Sequence, residues 1–288
     1  MATTTAKILR KSIFSFLRNY QYYTFTPTLV AFPYAVSYLL TQSLVSSSDL
    51  FPLVHARLRS VFLSAGFSLS PQIFEFLILK LSQTILTFLL VSPLTFSSLL
   101  LSRASVIVRN RNPTFLFRAP LFNPLLITQL CSTLVMLAAN ATCFVFFALC
   151  FNFLDILGLS SSRGYMLFLS ALIYSVVIAN TYVICNLASI MSVMENRGGF
   201  ILILKACFMM KGKTTTALSL AVIMNTGLAA VEALFEYRVV RAYNRRDLDS
   251  NSGFLVSMEG GFIAMLYALF LVLDAVVGCT FLEKLQEG

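Results

Sequence analysis

The sequence predicts an all-α protein, a polytopic membrane helical bundle of about six transmembrane helices with short interfacial helices beside them. Three observations predict it. Of its 288 residues, 58% are apolar and only 11% charged, against about 25% charged in an ordinary soluble domain, too few to cover a water-facing surface. The apolar residues are gathered into long runs split by short basic stretches, which a bilayer requires and a soluble core does not. The net charge is +9, and because the basic residues cluster at the ends of apolar runs, anionic lipid headgroups rather than nucleic acid are the expected partner.

The first 20 residues, MATTTAKILRKSIFSFLRNY, hold four basic residues and no acid. As a helix they place Leu9, Ile13, Phe16, Leu17 and Tyr20 on one face, with Lys7, Lys11 and Arg18 mostly away from it. An interfacial amphipathic helix over residues 1–20 is the preferred reading, and an organelle transit peptide, equally basic and poor in acids, is the rival. Residues 21–288 read as one transmembrane domain. About 20 apolar residues cross a bilayer core of roughly 30 Å, and six stretches qualify, near 24–45, 73–101, 122–152, 165–192, 215–238 and 254–282. Tyr20, Tyr22 and Tyr23 lead into the first, at headgroup level. Pro27, Pro33 and Pro93 predict kinks in the first two. Asn123-Pro124 reads as a helix start, since asparagine accepts from orphan backbone N–H groups and proline in the first turn loses no hydrogen bond.

Counting Lys and Arg in the connections sets the orientation. Thirteen lie in the amino end, the 102–120 and 193–214 loops and the tail, and seven on the opposite side. Both termini are therefore expected in the cytosol, in the endoplasmic reticulum or plasma membrane, with an organelle membrane as the lesser alternative. The stretch RVVRAYNRRDLD at 238–249 dissents, being basic on the outer side.

Gly212-Lys213-Thr214 matches the end of a phosphate-cradling loop, but Cys207 stands where that motif needs its first glycine and no strand precedes it, so nucleotide binding is not expected. Residues 199–211 fit a short helix at the cytosolic interface, with Lys205, Lys211 and Lys213 reaching headgroups. Its faces are so uniformly apolar that a re-entrant or protein-buried segment remains an alternative.

The arrangement YVICNLASIMSVMENRGGFILILKACFMMKGKTTTALSLAVIMNTGLAAVE resembles a plant-specific family of uncharacterised multi-pass membrane proteins. In that family a span ending in a serine-rich stretch and a glutamate is followed by a short segment ending in a KGK-like turn and then another span. The positions that carry the resemblance are Leu187 to Glu195, Gly198, Lys205, Ala206, Lys211, Gly212, Lys213 and Ala217, and it is strongest over residues 180–282. The resemblance implies six spans and a plant source, and it brings no activity or site.

Polar groups within spans are the first place to seek function. Asn140, Asn180 and Asn225 fall near the middles of spans three, four and five and form a candidate midplane polar site, or else hydrogen-bond between helices and fix packing. Glu232, a candidate intramembrane acid, reads with Glu236, Glu259, Arg238 and Arg241 as part of an outer charge cluster held by salt bridges, with a solute or proton gate as the alternative. Asp274, in VLDAVVG, is the acid with no evident basic partner at its depth. Gly260, Gly261, Ala264, Ala268 and Ala275 place small residues along the last span, where helices approach closely. Six cysteines without CxxC spacing, one histidine (His55) without a metal-binding motif and no GxSxG elbow leave no metal, cofactor or catalytic constellation. The expected function is a non-enzymatic integral membrane protein acting through lipid contact, packing or partner recruitment. The alternative is a carrier or channel for a small solute through the midplane amides.

Overall fold

The computed structural model describes residues 2–44, 50–64, 78–79, 81–82, 85–86, 97–109, 122–156, 163–244 and 250–286. Among them there is no strand. The helices are α1 (Ala2–Arg18), α2 (Tyr20–Phe25), α3 (Pro27–Leu44), α4 (Leu50–Ser64), α5 (97–109), α6 (Phe122–Ile156), α7 (Arg163–Glu195), α8 (Phe200–Met210), α9 (Thr214–Phe235), α10 (Arg241–Asn244) and α11 (Ser250–Gln286), with a π-turn at Glu236–Val240.

Among the described residues, four helical stretches are long and apolar enough to cross a membrane: Asn123–Phe147, Leu172–Glu195, Thr214–Val240 and Phe254–Gln286. They coincide with the third to sixth expected spans. The first expected span forms α3, but its 18 residues include two prolines, two tyrosines and five Ser, Thr or Gln, which dilute its apolar character, and it is not among the four. The second falls largely outside the described residues, as do Glu75, Lys80 and Pro93. α6 starts beside Asn123-Pro124 and runs for 35 residues, about 52 Å at 1.5 Å per residue, more than one bilayer core.

The chain divides into two compact units. Unit 1 comprises Met1–Asn19, Ala104–Asn225 and Leu273–Gly288, and unit 2 comprises Tyr20–Arg103 and Thr226–Val272, so α9 and α11 contribute to both.

In unit 1, α6 and α7 form an antiparallel hairpin joined by polar contacts: Ser189 Oγ donates to Gln129 Oε1 at 3.1 Å and Cys185 Sγ approaches the Ser132 carbonyl at 3.9 Å. α1 packs on the same unit through Thr5, Ile8, Ser12 and Phe16, all buried. Thr5 Oγ1 lies 3.1 Å from Ser219 Oγ on α9, and Ser12 shares a hydrogen bond with Thr280 on α11. This stripe differs from the face that hydrophobicity picks out, and Ile13 and Leu17 are exposed. Small hydroxyls allow close approach and find partners at the contact, so Thr5 and Ser12 share the docked face of α1 with Ile8 and Phe16.

In unit 2, one apolar cluster joins α3 (Ala31, Ala35, Leu39), α9 (Leu228, Val231, Phe235) and α11 (Ile263, Ala264, Tyr267, Ala268, Leu271). Gly260, Ala264 and Ala268 are buried at four-residue steps along α11, as expected of a close-packing face. Ser102 on α5 donates to the Pro27 carbonyl at the start of α3, at 2.7 Å.

Ala268 is 0% exposed in this cluster. Ala268→Leu overpacks it and is expected to lower stability in detergent by about 1–3 kcal/mol, read as a drop in the unfolding midpoint. An unchanged midpoint would mean that α11 is not packed tightly there.

Candidate functional site

Two features of unit 1 bear on function. The first is the sharp connection from α7 through α8 to α9. α7 ends at Glu195, and Asn196 takes up the left-handed conformation (φ 53°) common just past a helix end. Gly198 then passes so close to the start of α6 that a Cβ there would sit 2.7 Å from the Pro124 carbonyl oxygen. Gly199, at φ 107°, donates its N–H to Thr128 Oγ1 at 3.2 Å. Asn-Arg-Gly-Gly therefore folds the chain back so that α8 rests on α6 and α7.

α8 buries Leu202, Ile203, Ala206 and Met210 on its inner side. Its outer side leaves Ile201 78% and Phe208 76% exposed, with Phe200 and Leu204 also exposed. The helix is apolar all round because it meets protein on one side and presents hydrocarbon on the other. Lys205 lies on the exposed side but forms an ion pair with Glu195 at 2.6 Å. Lys211 and Lys213, in the turn after α8, are exposed and form no ion pair among the described residues. The three lysines of the expected headgroup site are thus unequal.

Contacts within unit 1 gather other basic groups at the same end. Thr5 and Ser12 hold α1 to the first turns of α9 and the last turns of α11, and Lys11 reaches Glu283 at 3.4 Å, an exposed pair of small energetic consequence. This end therefore carries Lys7, Arg10 and Lys11 as well as Lys211 and Lys213.

The second feature is a buried carboxylate. Asp274 is 9% exposed, and among the described residues it is the one buried acid. Asn186 on α7 donates its amide to Asp274 Oδ2 over a long 3.4 Å. The two face a groove between α7, α9 and α11 whose walls include Tyr182, Ile190, Ala217, Leu220, Ala221, Met224 and Phe281. Its volume is about 40 Å³, room for a few waters and far below the roughly 300 Å³ of a typical small-molecule pocket. Asn186 escapes attention in the sequence because its span also holds Asn180. The available signal is the run Asn186, Ser189, Ser192, polar residues at steps of three on one face.

The midplane amides are not joined to one another by hydrogen bonds. Asn140 donates to the Met136 carbonyl of its own helix at 2.9 Å and accepts from the Tyr174 hydroxyl at 2.6 Å. Asn180 is half-buried on α7 and Asn225 exposed on α9, and neither makes a side-chain hydrogen bond among the described residues. Glu232 belongs to unit 2, where it accepts from Tyr267 at 3.0 Å, and Tyr267 stacks on Tyr38 at 5.6 Å. The outer charges of that unit resolve into separate contacts, Arg238 with Glu259 at 2.6 Å and Arg241 over the Tyr237 ring at 5.5 Å. Among the described residues no group of three His, Cys, Asp or Glu is placed to hold a metal. His55 lies on α4 beside the Phe51 ring.

Gly198→Ala puts a methyl group against backbone that cannot swing away. It is expected to cost about 1–3 kcal/mol and to loosen α8, seen as faster amide exchange over Phe200–Met210. Exchange unchanged from the parent protein would contradict this account of the turn.

No curated protein and no solved structure matches this chain. A family model described as a domain of unknown function, DUF8558, matches residues 68–281, a range that takes in α7, α8, α9, the Asp274 groove and most of α11. The chain belongs to the DUF8558 family.

Proposed function

We propose that the chain is a multi-pass integral membrane protein that acts without catalysis, by holding the basic end of unit 1 against anionic lipid headgroups on the cytosolic side. The observation that carries this is the outer side of α8, where exposed Ile201, Leu204 and Phe208 stand beside exposed Lys211 and Lys213. Apolar side chains flanked by ammonium groups suit the boundary between acyl chains and phosphates, and an interfacial helix gains from both. Each exposed lysine near an anionic surface contributes about 1 kcal/mol, a term that salt screens.

Several features support the cytosolic assignment of this end. Basic residues are concentrated in the amino end and in the 193–214 connection, and α1 and the carboxy-terminal turns of α11 pack together within unit 1. Exposed Phe14 and Leu17 give α1 an outer apolar stripe of its own beside its basic residues. The endoplasmic reticulum or plasma membrane is the proposed location.

Changing Lys211 and Lys213 together to Gln is expected to reduce crosslinking to a photoactivatable phosphatidylserine by about thirtyfold at low salt, following the loss of roughly 2 kcal/mol. Lys205→Gln alone has a smaller effect, because that ammonium is shared with Glu195. Crosslinking unchanged by the double substitution would remove the headgroup role.

A further inference from the structure

We propose that the basic row of α1 and the turn after α8 form one site, and that this site takes lipids whose headgroup is a phosphomonoester. The inference rests on the headgroup reading of the basic end of unit 1 and names the class of headgroup. Thr5 and Ser12, seven residues apart on α1, bond to Ser219 on α9 and to Thr280 on α11. The groove that these two helices share is lined by positions within 217–224 of α9 and 274–281 of α11. The first turns of α9 therefore lie beside the last turns of α11, and Ser219 and Thr280 stand at nearly one level. Seven residues of helix rise about 10 Å, close to the spacing of packed neighbouring helices. α1 thus crosses both helices rather than running along either.

A helix lying crosswise turns one flank toward each end of the helices it crosses. Thr5, Ile8, Ser12 and Phe16 face inward. At about 100° per residue, Lys7, Lys11 and Arg18 fall in one row on one flank and Ile13 and Leu17 on the other, and all five are exposed. Lys11 reaches Glu283, three residues past Thr280 toward the end of α11. The basic row therefore faces the same end as Lys211 and Lys213, and the apolar row faces the spans.

Lys7 stands two residues from Thr5, close to α9. The Lys213 carbonyl accepts from the Ala217 N–H at 3.2 Å, so Lys213 continues the register of α9 and precedes Ser219 by six residues, about 9 Å of rise. Long lysine stems span what separates the two. The ammonium groups of Lys7, Lys211 and Lys213 form no ion pair among the described residues. Three such groups without a carboxylate suit a headgroup of more than one negative charge. A phosphomonoester carries about −1.5 to −2 at about pH 7 and offers three strong acceptor oxygens, whereas phosphatidylserine brings a single net charge and an ammonium of its own. Exposed Ile13 and Leu17 on α1 and Ile201 and Phe208 on α8 lie along acyl chains, which a lipid supplies and free phosphate does not.

The test gives full-length protein in phosphatidylcholine nanodiscs equal amounts of photoactivatable phosphatidate or phosphatidylserine. Phosphatidate is expected to crosslink about fivefold more at neutral pH, the equivalent of one further lysine contact, with adducts on both α1 and the 211–213 turn. That preference disappears as pH falls from about 7.5 to about 5, where the phosphomonoester takes up its second proton. Lys7→Gln brings phosphatidate down to the phosphatidylserine level with an unfolding midpoint equal to that of the parent, and Lys7→Arg keeps the preference. Equal crosslinking by the two lipids, or a preference that survives Lys7→Gln, overturns the shared site and leaves the contact of Lys211 and Lys213 with phosphatidylserine standing. Crosslinking of both lipids that is indifferent to Lys211 and Lys213 removes the underlying headgroup reading as well.

Discussion

Hydrocarbon offers no hydrogen bonds, and the fold is organised by that constraint. Backbone groups that cross it are satisfied within helices, and polar side chains on those helices turn back onto their own turns. Thr142 donates to the Ala138 carbonyl, Thr181 to Val177, Ser189 to Cys185 and Asn140 to Met136, each at 2.9 to 3.0 Å and each one turn back. Such bonds let small polar residues sit on apolar helices at low cost. The hydroxyls and amides that also reach another helix then mark where helices meet: Ser189 with Gln129, Tyr174 with Asn140, Ser12 with Thr280.

Against that background, two departures stand out in unit 1. α8 turns apolar side chains outward next to the exposed ammonium groups of Lys211 and Lys213, an arrangement costly in water and in the bilayer centre but favourable at the boundary between them. Asp274 keeps a carboxyl among hydrocarbon walls with an amide as its near neighbour. The glycine turn at Gly198-Gly199 makes the first possible, since only a residue without a side chain passes the Pro124 carbonyl at that distance. The meeting of α7 and α11 makes the second.

Much of the fold is legible from hydrophobic run length alone. The third to sixth spans coincide with the four long apolar helices of the described residues, and the short helix expected at 199–211 is α8. What composition could not supply was partner choice. Lys205 looked equivalent to Lys211 and Lys213, yet Glu195, ten residues earlier, claims it across the turn. The docking face of α1 was hidden because Thr5 and Ser12 count as polar in any hydrophobic pattern. Asp274 was legible as an anomaly in an apolar run, whereas its neighbour Asn186 depends on how α7 packs against α11. The three midplane asparagines share a depth in the sequence, but depth carries no information on rotation about each helix axis, and the only cross-helix hydrogen bond described among them is Asn140 with Tyr174.

The central claim is that the outer side of α8 lies at the bilayer boundary. The most direct measurement places single nitroxide labels at positions 201, 208 and 211 of a cysteine-free background in bilayers and compares relaxation by oxygen with relaxation by a water-soluble nickel chelate. The account predicts that Ile201→Cys and Phe208→Cys labels are relaxed mainly by oxygen, and that the Lys211→Cys label is reached by nickel. Strong nickel relaxation at 201 and 208, equal to that at 211, would place the helix in water and contradict it.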